Sequence, residues 1–395
     1  MKKNAKVFPL LLLTPFVLTS CGQVKKYAEH LDDYVFTMKY HKNFNILQLT
    51  DIHWNINSST YESEKYMDKV LAEANKHITA TQGASAKIDL VELTGDMFML
   101  ANAYHVDSFI KYFEKKSEEY GFKYASIWGN HDRHGMYNPN WIAERFAKAK
   151  NSLYYEPNDD LYGRSNFMIN LTADGNKGSE VKWQISNLDS GASFSETALS
   201  PFRDYDYIRK DQTEWWISEY NKAVVNNQNL GGNDDIPGIA YYHIPQEENQ
   251  KLYDEVQKNP TSHKNKFFKL EGFADNGNEK YASNFLDEAK QRNLKGAFMG
   301  HAHNVDWTVT WDDLVVGLGV KTGIELYYAH IDAKSEKPAM KKGLADTGIT
   351  ENFDLIGASL VTITDEENNI EGKFDLEHLY LNERKGGDFV AWVKY

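Results

Sequence analysis

Residues 88–96 read Ile-Asp-Leu-Val-Glu-Leu-Thr-Gly-Asp, a short apolar run that stops on a glycine and a carboxylate. Such a run, bounded by a turn signal, is a strand, and the same layout recurs along the chain. Phe44, Ile46, Leu47 and Leu49 mark a strand that runs into Thr50-Asp51. Phe122 to Trp128 runs into Gly129-Asn130-His131-Asp132, Gly238 to Tyr242 into His243, and Lys295 to Met299 into Gly300-His301-Ala302-His303. Between the first of these strands lie stretches of helical spacing. Residues 61–79 carry Met67, Val70, Leu71, Ala74 and Ile78, residues 105–120 carry Phe109, Ile110 and Phe113, and a helix is expected around 139–150. Strand and helix in alternation predict an α/β fold.

Further out the pattern changes. Residues 166–171 and 181–188 alternate as antiparallel strands do. A helix with Trp215, Trp216 and Tyr220 follows, then a Gly/Asn-rich loop over 226–235. Residues 246–283 read as a polar insertion before a helix at 284–293. Beyond Asp306 the chain reads as strands and turns, with an excursion over 331–351 and edge strands within 352–395. There is no internal repeat and no low-complexity block.

The 395 residues are 41% hydrophobic and 26% charged, which excludes a disordered chain and a polytopic membrane protein. A formal net charge of −13 disfavours nucleic acid as a non-specific partner. The one cysteine excludes an intramolecular disulfide and a Cys-rich zinc site. That cysteine, Cys21, follows a short basic stretch (Lys2, Lys3, Lys6) and an apolar run from Val7 to Leu18, too short to span a bilayer. The segment Leu18-Thr19-Ser20-Cys21-Gly22 resembles the bacterial lipoprotein signal. The resemblance implies lipidation at Cys21, a signal peptide over 1–20, a tether over 21–42 and a folded part outside the cytoplasmic membrane. Loss of the three lysines takes the charge from −13 to −16.

The polar residues of interest all follow strands: Asp51 and His53, Asp96, Asn130 and His131, His243, and His301 and His303. In open α/β sheets ligands bind at the carboxyl ends of strands. Imidazole and oxygen donors without thiolate suit Mn, Fe or Zn. Two Asp, one Asn and four or more His exceed the four that one tetrahedral zinc takes, but they suffice for two ions sharing a carboxylate. Two ions roughly 3.5–4 Å apart can activate water and clamp phosphoryl oxygens.

Asp51-Ile52-His53, Gly95-Asp96, Gly129-Asn130-His131-Asp132, His243 and Gly300-His301-Ala302-His303 together resemble the five motifs of the calcineurin-like metallophosphoesterases, in order. The resemblance covers about residues 44–330. The flanking Leu188-Asp189-Ser190-Gly191, Gln212, His243-Ile244-Pro245, Asn304, Asp306 and Lys321-Thr322-Gly323 look most like the purple acid phosphatase branch. It implies a four-layer αββα sandwich, two mixed β-sheets flanked by helices, in a metallophosphoesterase domain over 43–330. Residues 331–395 would be a C-terminal extension completing the sandwich. Together with the lipoprotein signal it implies a secreted, lipid-anchored hydrolase of phosphate esters, a phosphomonoesterase first and a phosphodiesterase or nuclease second. A binding lipoprotein without activity is the non-enzymatic alternative.

Carried over by residue, the family's scheme gives one metal to Asp51, His53, Asp96 and His303. The other goes to Asp96, Asn130, His243 and His301, with Asp96 as the bridge. The ions would be divalent or mixed-valence. His131 would stabilise the oxyanion or protonate the leaving group, and Asp132 has no catalytic role. Two positions depart from the pattern. Met99 stands where purple acid phosphatases have a tyrosine, and Ala302 stands where the family often has an aspartate. His77, His105, His134 and His263 read as ordinary residues, and Trp215 and Trp216 as core. Trp54 reads as a residue that lines the substrate pocket. Lys321-Thr322-Gly323 and Ser108-Phe109-Ile110-Lys111 also match two elements of the penicillin-binding signature. That signature's S-D-N is missing between them, and it leaves the histidines unexplained.

Overall fold

In a computed structural model the described residues are 35–54, 60–99, 101–133, 139–154, 161–192, 205–272, 283–382 and 389–395. The proposed signal peptide, Cys21 and His134 lie outside them. No described helix is long and apolar enough to cross a membrane.

Two eight-stranded mixed sheets face each other. The first runs β1 (Val35–Lys39), β6 (Phe167–Thr172), β7 (Val181–Asn187), β8 (Gly238–Tyr241), β10 (Leu294–Met299), β12 (Leu314–Leu318), β11 (Val305–Trp311) and β9 (Asn265–Lys269). The second runs β16 (Val390–Lys394), β15 (Phe374–Leu381), β14 (Phe353–Ile363), β2 (Phe44–Leu49), β3 (Leu90–Thr94), β4 (Lys123–Ile127) and β5 (Ser152–Leu153), with β13 (His330–Ile331) on β14. β2, β3, β4 and β5 are parallel, and so are β7, β8, β10 and β12. The carboxyl ends of five of these strands, β2, β3 and β4 of the second sheet and β8 and β10 of the first, carry the polar motifs.

Helices cover the sheets. α1 (Thr60–Gln82) lies on the second sheet, where Gln82 and Asn45 share hydrogen bonds of 2.8 and 2.9 Å. α2 (Ala103–Tyr120) starts where the Asn102 side chain accepts the His105 N–H and ends at Gly121, in the left-handed region. α3 (Pro139–Lys148) precedes β5. α4 (Lys210–Leu230) covers the first sheet: Trp216 donates to Ser186 on β7 at 2.8 Å, and Trp215 and Trp216 are core.

Several sequence expectations give way here. Residues 226–230 were expected in a loop, but α4 continues to Leu230 and closes on left-handed Gly231. Asn227 is the reason: its side chain accepts the Val181 N–H and donates to the Val181 carbonyl, both at 2.8 Å. The polar insertion at 246–283 contains α5 (Glu247–Lys258) and β9. Only Asn249, Leu252 and Val256 of α5 are buried, a stripe too narrow to stand out from its polar composition. Residues 35–39, within the stretch read as a tether, form β1, parallel to β6. α6 (Phe285–Lys290) and α7 (Pro338–Thr347) are shorter elements, α7 within the excursion after Ile331. β14 is not an edge strand. All eleven of its residues are buried, and it sits between β15 and β2.

Candidate metal centre

The backbone at the strand ends is unusual before any side chain is considered. Asp51, His53, Asp96 and His301 have φ of 53°, 48°, 50° and 79°. A non-glycine residue at positive φ is uncommon, and several together mark a site where surrounding structure holds the strain. Asp51 and His53 are held by backbone bonds to the β3 end, from Asp51 N to Gly95 O at 3.1 Å and from His53 N to Asp96 O at 2.9 Å. The glycines before Asp96 and Asn130 are explained by close approach. A Cβ on Gly95 would overlap the His243 ring, and one on Gly129 the Asp96 carboxylate.

Two groups of donors result, Asp51 with His53 and His303, and Asp96 with His243 and His301. Within each group the candidate ligand atoms lie within 4.8 Å of one another. The Nε2 atoms of His53 and His303 face each other at 3.1 Å, and His303 Nε2 is 3.4 Å from Asp51 Oδ1. Asp96 Oδ2 lies 3.3 Å from His243 Nε2, 3.8 Å from His53 Nε2 and 4.0 Å from His131 Nε2, so it stands between the groups. The Asn130 amide oxygen is 2.9 Å from His301 Nδ1 and 3.2 Å from His243 Nε2. All seven expected ligands and His131 are thus brought together.

Outer bonds orient the inner atoms. Asp51 Oδ2 accepts from the Thr50 hydroxyl at 2.8 Å and the His301 N–H at 2.9 Å. Asp96 Oδ1 accepts the His131 N–H at 2.8 Å, and His243 Nδ1 meets the Thr94 carbonyl at 2.9 Å. Asp132 supports the loops instead of facing the centre. Its carboxylate accepts the N–H of Phe98 at 2.9 Å and of Gly129 at 2.8 Å, tying the β3 and β4 loops together. Lys321, fully buried, donates Nζ to the Asp51 carbonyl. Thr322 bonds Thr50 through both its N–H and its hydroxyl.

The electrostatics are those of a cation site. Burial would raise Asp96, but His243, His131 and His53 hold it well below the usual carboxylate range. Burial also lowers His53 far below its ordinary value, with Lys321 adding to it, and lowers His301 to about 3 with help from His243. His243 goes the other way, to about 9, because Asp96 outweighs burial. Asp51 Oδ1 is buried with no hydrogen-bond partner. Converging nitrogen and oxygen donors with a buried orphan oxygen fit metal ions, the donor set being imidazole, carboxylate and amide.

Other expectations fare differently. Trp54 does not line a pocket. It is 1% exposed, packs on Phe109 and Tyr112, and donates Nε1 to Ser108 at 2.9 Å. His77 stacks on Trp392 and pairs with Glu377, and His263 pairs with Glu255. Two tyrosines escape the sequence reading: Tyr205 lies edge-on to His301 and Tyr327 lies against His303. Neither adjoins a motif in sequence, so only three-dimensional proximity identifies them.

The family model of the calcineurin-like phosphoesterases matches residues 44–305. No curated protein matches the chain. Among solved structures, the chain is similar to a Staphylococcus aureus protein named as a 5'-nucleotidase, in complex with alpha-ketoglutarate, at 13% identity and a TM-score of 0.35. That match covers 77% of this chain and 58% of the other, so the chain spans little more than half of that protein's length. A protein serine/threonine phosphatase from Saccharomyces cerevisiae matches at 10% identity and a TM-score of 0.30, covering 94% and 91% of the two chains.

Proposed function

The chain belongs to the calcineurin-like phosphoesterase family, hydrolases of phosphate esters, and we propose that it is a phosphomonoesterase of the purple acid phosphatase-like branch, anchored as a bacterial lipoprotein through Cys21. The observation that carries the activity is the position of Asp96 between two His/Asp groups. In this reading Asp51, His53, Asp96 and His303 would hold one ion, and Asp96, Asn130, His243 and His301 the other, with Mn, Fe or Zn as the metals. Bound there, such ions make water a nucleophile near neutral pH and offset charge on the phosphoryl oxygens.

The remaining work falls to the protein. The Thr50, His301 and His131 bonds fix the two carboxylates, so the site need not reorganise when a phosphate arrives. His131 is pinned through its own N–H to Asp96 while its side chain keeps 17% exposure. That places an imidazole on the open side, able to give a proton to the departing oxygen.

Metal analysis of the purified protein, with assays of mono- and diesters under added Mn²⁺, Fe²⁺ and Zn²⁺, tests the reading. Hydrolysis of monoesters ahead of diesters is expected; no hydrolysis with any metal overturns it. With Met99 at the tyrosine position, iron-loaded protein should lack the intense tyrosinate band, and a strong purple colour would show that some other tyrosine reaches the iron. The anchor is tested by Cys21→Ser, which should release the protein from membranes; unchanged membrane association would refute lipidation.

A further inference from the structure

The centre is closed on most sides. Asp51, His53, Asp96 and His243 are at most 1% exposed. Among the described residues of the centre, exposure rises toward His131 and His301; one aromatic ring stands at His301 and another at the neighbouring His303. Tyr205 meets the His301 ring at 4.4 Å between centroids and 77° between planes. Tyr327 meets His303 at 4.5 Å and 39°, and is 52% exposed. They come from chain segments far apart, and each packs on one of the two histidines of Gly300-His301-Ala302-His303.

Tyr327 is held in place rather than merely left at the surface. Leu326 before it has φ of 63°, a strained conformation for leucine. Burial and then the Glu271 carboxylate raise the Tyr327 hydroxyl above its ordinary value. The same carboxylate accepts the Asn304 N–H at 2.9 Å and its side-chain amide at 3.2 Å, which ties it to the residue after His303. The contacts with His301 and His303 place each ring beside one histidine of the centre. An ester whose phosphoryl group sits at the two His/Asp groups directs its organic half away from the buried ligands, toward the side where His301 is part-exposed and Tyr327 exposed.

We propose that Tyr205 and Tyr327 form the leaving-group subsite, and that the enzyme takes phosphate esters of ring-bearing alcohols. The inference rests on the phosphoesterase reading and adds what that reading leaves open, the chemistry of the alcohol. Aromatic rings favour edge and offset contacts with another ring, and two tyrosines flanking one exit offer them. A short aliphatic chain gains less from the same walls.

The test compares 2-phenylethyl phosphate with butyl phosphate. Both release a primary alkoxide, so the demand for a proton is similar and the ring is the principal difference. The expected preference in kcat/KM is roughly 3- to 10-fold per ring contact. Tyr205→Ala and Tyr327→Ala should each reduce the ratio, the double variant should bring it near one, and Tyr327→Phe should keep most of it. Metal content and inhibition by inorganic phosphate should not change. A wild-type ratio near one, or a ratio the variants do not move, overturns the proposal. So does loss of metal in the alanine variants, which would make the tyrosines supports of the centre. Calorimetric binding of 2-phenylethylphosphonate against butylphosphonate needs no turnover. A ring preference there without hydrolysis of either ester would sink the phosphomonoesterase reading and leave the subsite standing.

Discussion

Asp96 and Glu92 lie four residues apart on one line of chain, and both carboxylates are buried, at 1% and 0% exposure. Burial works on them equally, yet they end in opposite states. Asp96, just past the end of β3, has three imidazoles within 4.0 Å and is held low. Glu92, inside β3, has no cation beside it among the described residues. Burial pushes it up to about 8, and the neighbouring Asn187 amide opposes this only in part. The difference follows from position. At the strand end, loops from both sheets bend inward and bring histidines. Within the strand, the side chain meets only what the opposite sheet presents, here Asn187 and the Tyr241 hydroxyl. A buried carboxylate is thus held ionised where imidazoles converge on it, as at Asp96, and pushed toward the neutral acid where none does, as at Glu92.

The sharpest way to break this contrast is to remove the charge at each position. Asp96→Asn should strip metal from both groups, since the residue stands between them. Activity should fall by more than the ~10²–10⁴-fold that a general acid is worth. Glu92→Gln should leave the metal content near that of the parent protein. His53→Ala lies between the two, and should mainly empty the group of Asp51 and His303. Metal analysis and kinetics on the three variants check the order. Wild-type activity in Asp96→Asn would remove Asp96 from the centre.

The strand-end part of this contrast was legible in the sequence; the mid-strand part was not. Gly95-Asp96 and Gly129-Asn130 announce themselves because glycine followed by a donor after an apolar run has a backbone reason: ligand and neighbouring loop come too close for a Cβ. The alternation of strand and helix over 44–150 gave the α/β class for the same local reason. Glu92 looks in sequence like an ordinary polar residue on a half-exposed strand, and only the first sheet packed over it makes it buried. The same holds for Phe353–Ile363, whose apolar run indicates a strand but not its place between β2 and β15. Tyr205 and Tyr327 depend on tertiary packing altogether. For α5 a weak signal existed, Leu252 and Val256 four apart after a capping box at Gln246 and Asn249.

His131 tests whether the exposed side of the centre does chemistry that the buried side does not. His131→Asn should keep both metals. Its loss on an alkyl phosphate should fall in the ~10²–10⁴-fold range of general acid catalysis, because an alkoxide needs the proton. On p-nitrophenyl phosphate, whose phenolate leaves unaided, the loss should be smaller. Equal losses on both esters would assign His131 to charge stabilisation at the phosphoryl group, and loss of metal would make it part of the scaffold.

The smallest effect is on stability, and it concerns Glu92 alone. Its pKa is raised on folding from the ordinary 4.5 to about 8. Between those values the unfolded chain has released the proton and the folded chain still holds it. The stability tied to this proton is therefore fully present below about pH 4.5, and is lost as pH rises through the folded value near 8. Glutamine has nearly the same shape and no proton to lose. Glu92→Gln should match the parent in thermal unfolding near pH 5 and exceed it increasingly toward pH 8.5, by on the order of a few kcal/mol. Comparing the two proteins at each pH cancels the titration of the histidines, which both share. Curves that stay parallel across the range would show that Glu92 is ionised inside the fold, and the contrast with Asp96 would then need a cation beside Glu92 as well.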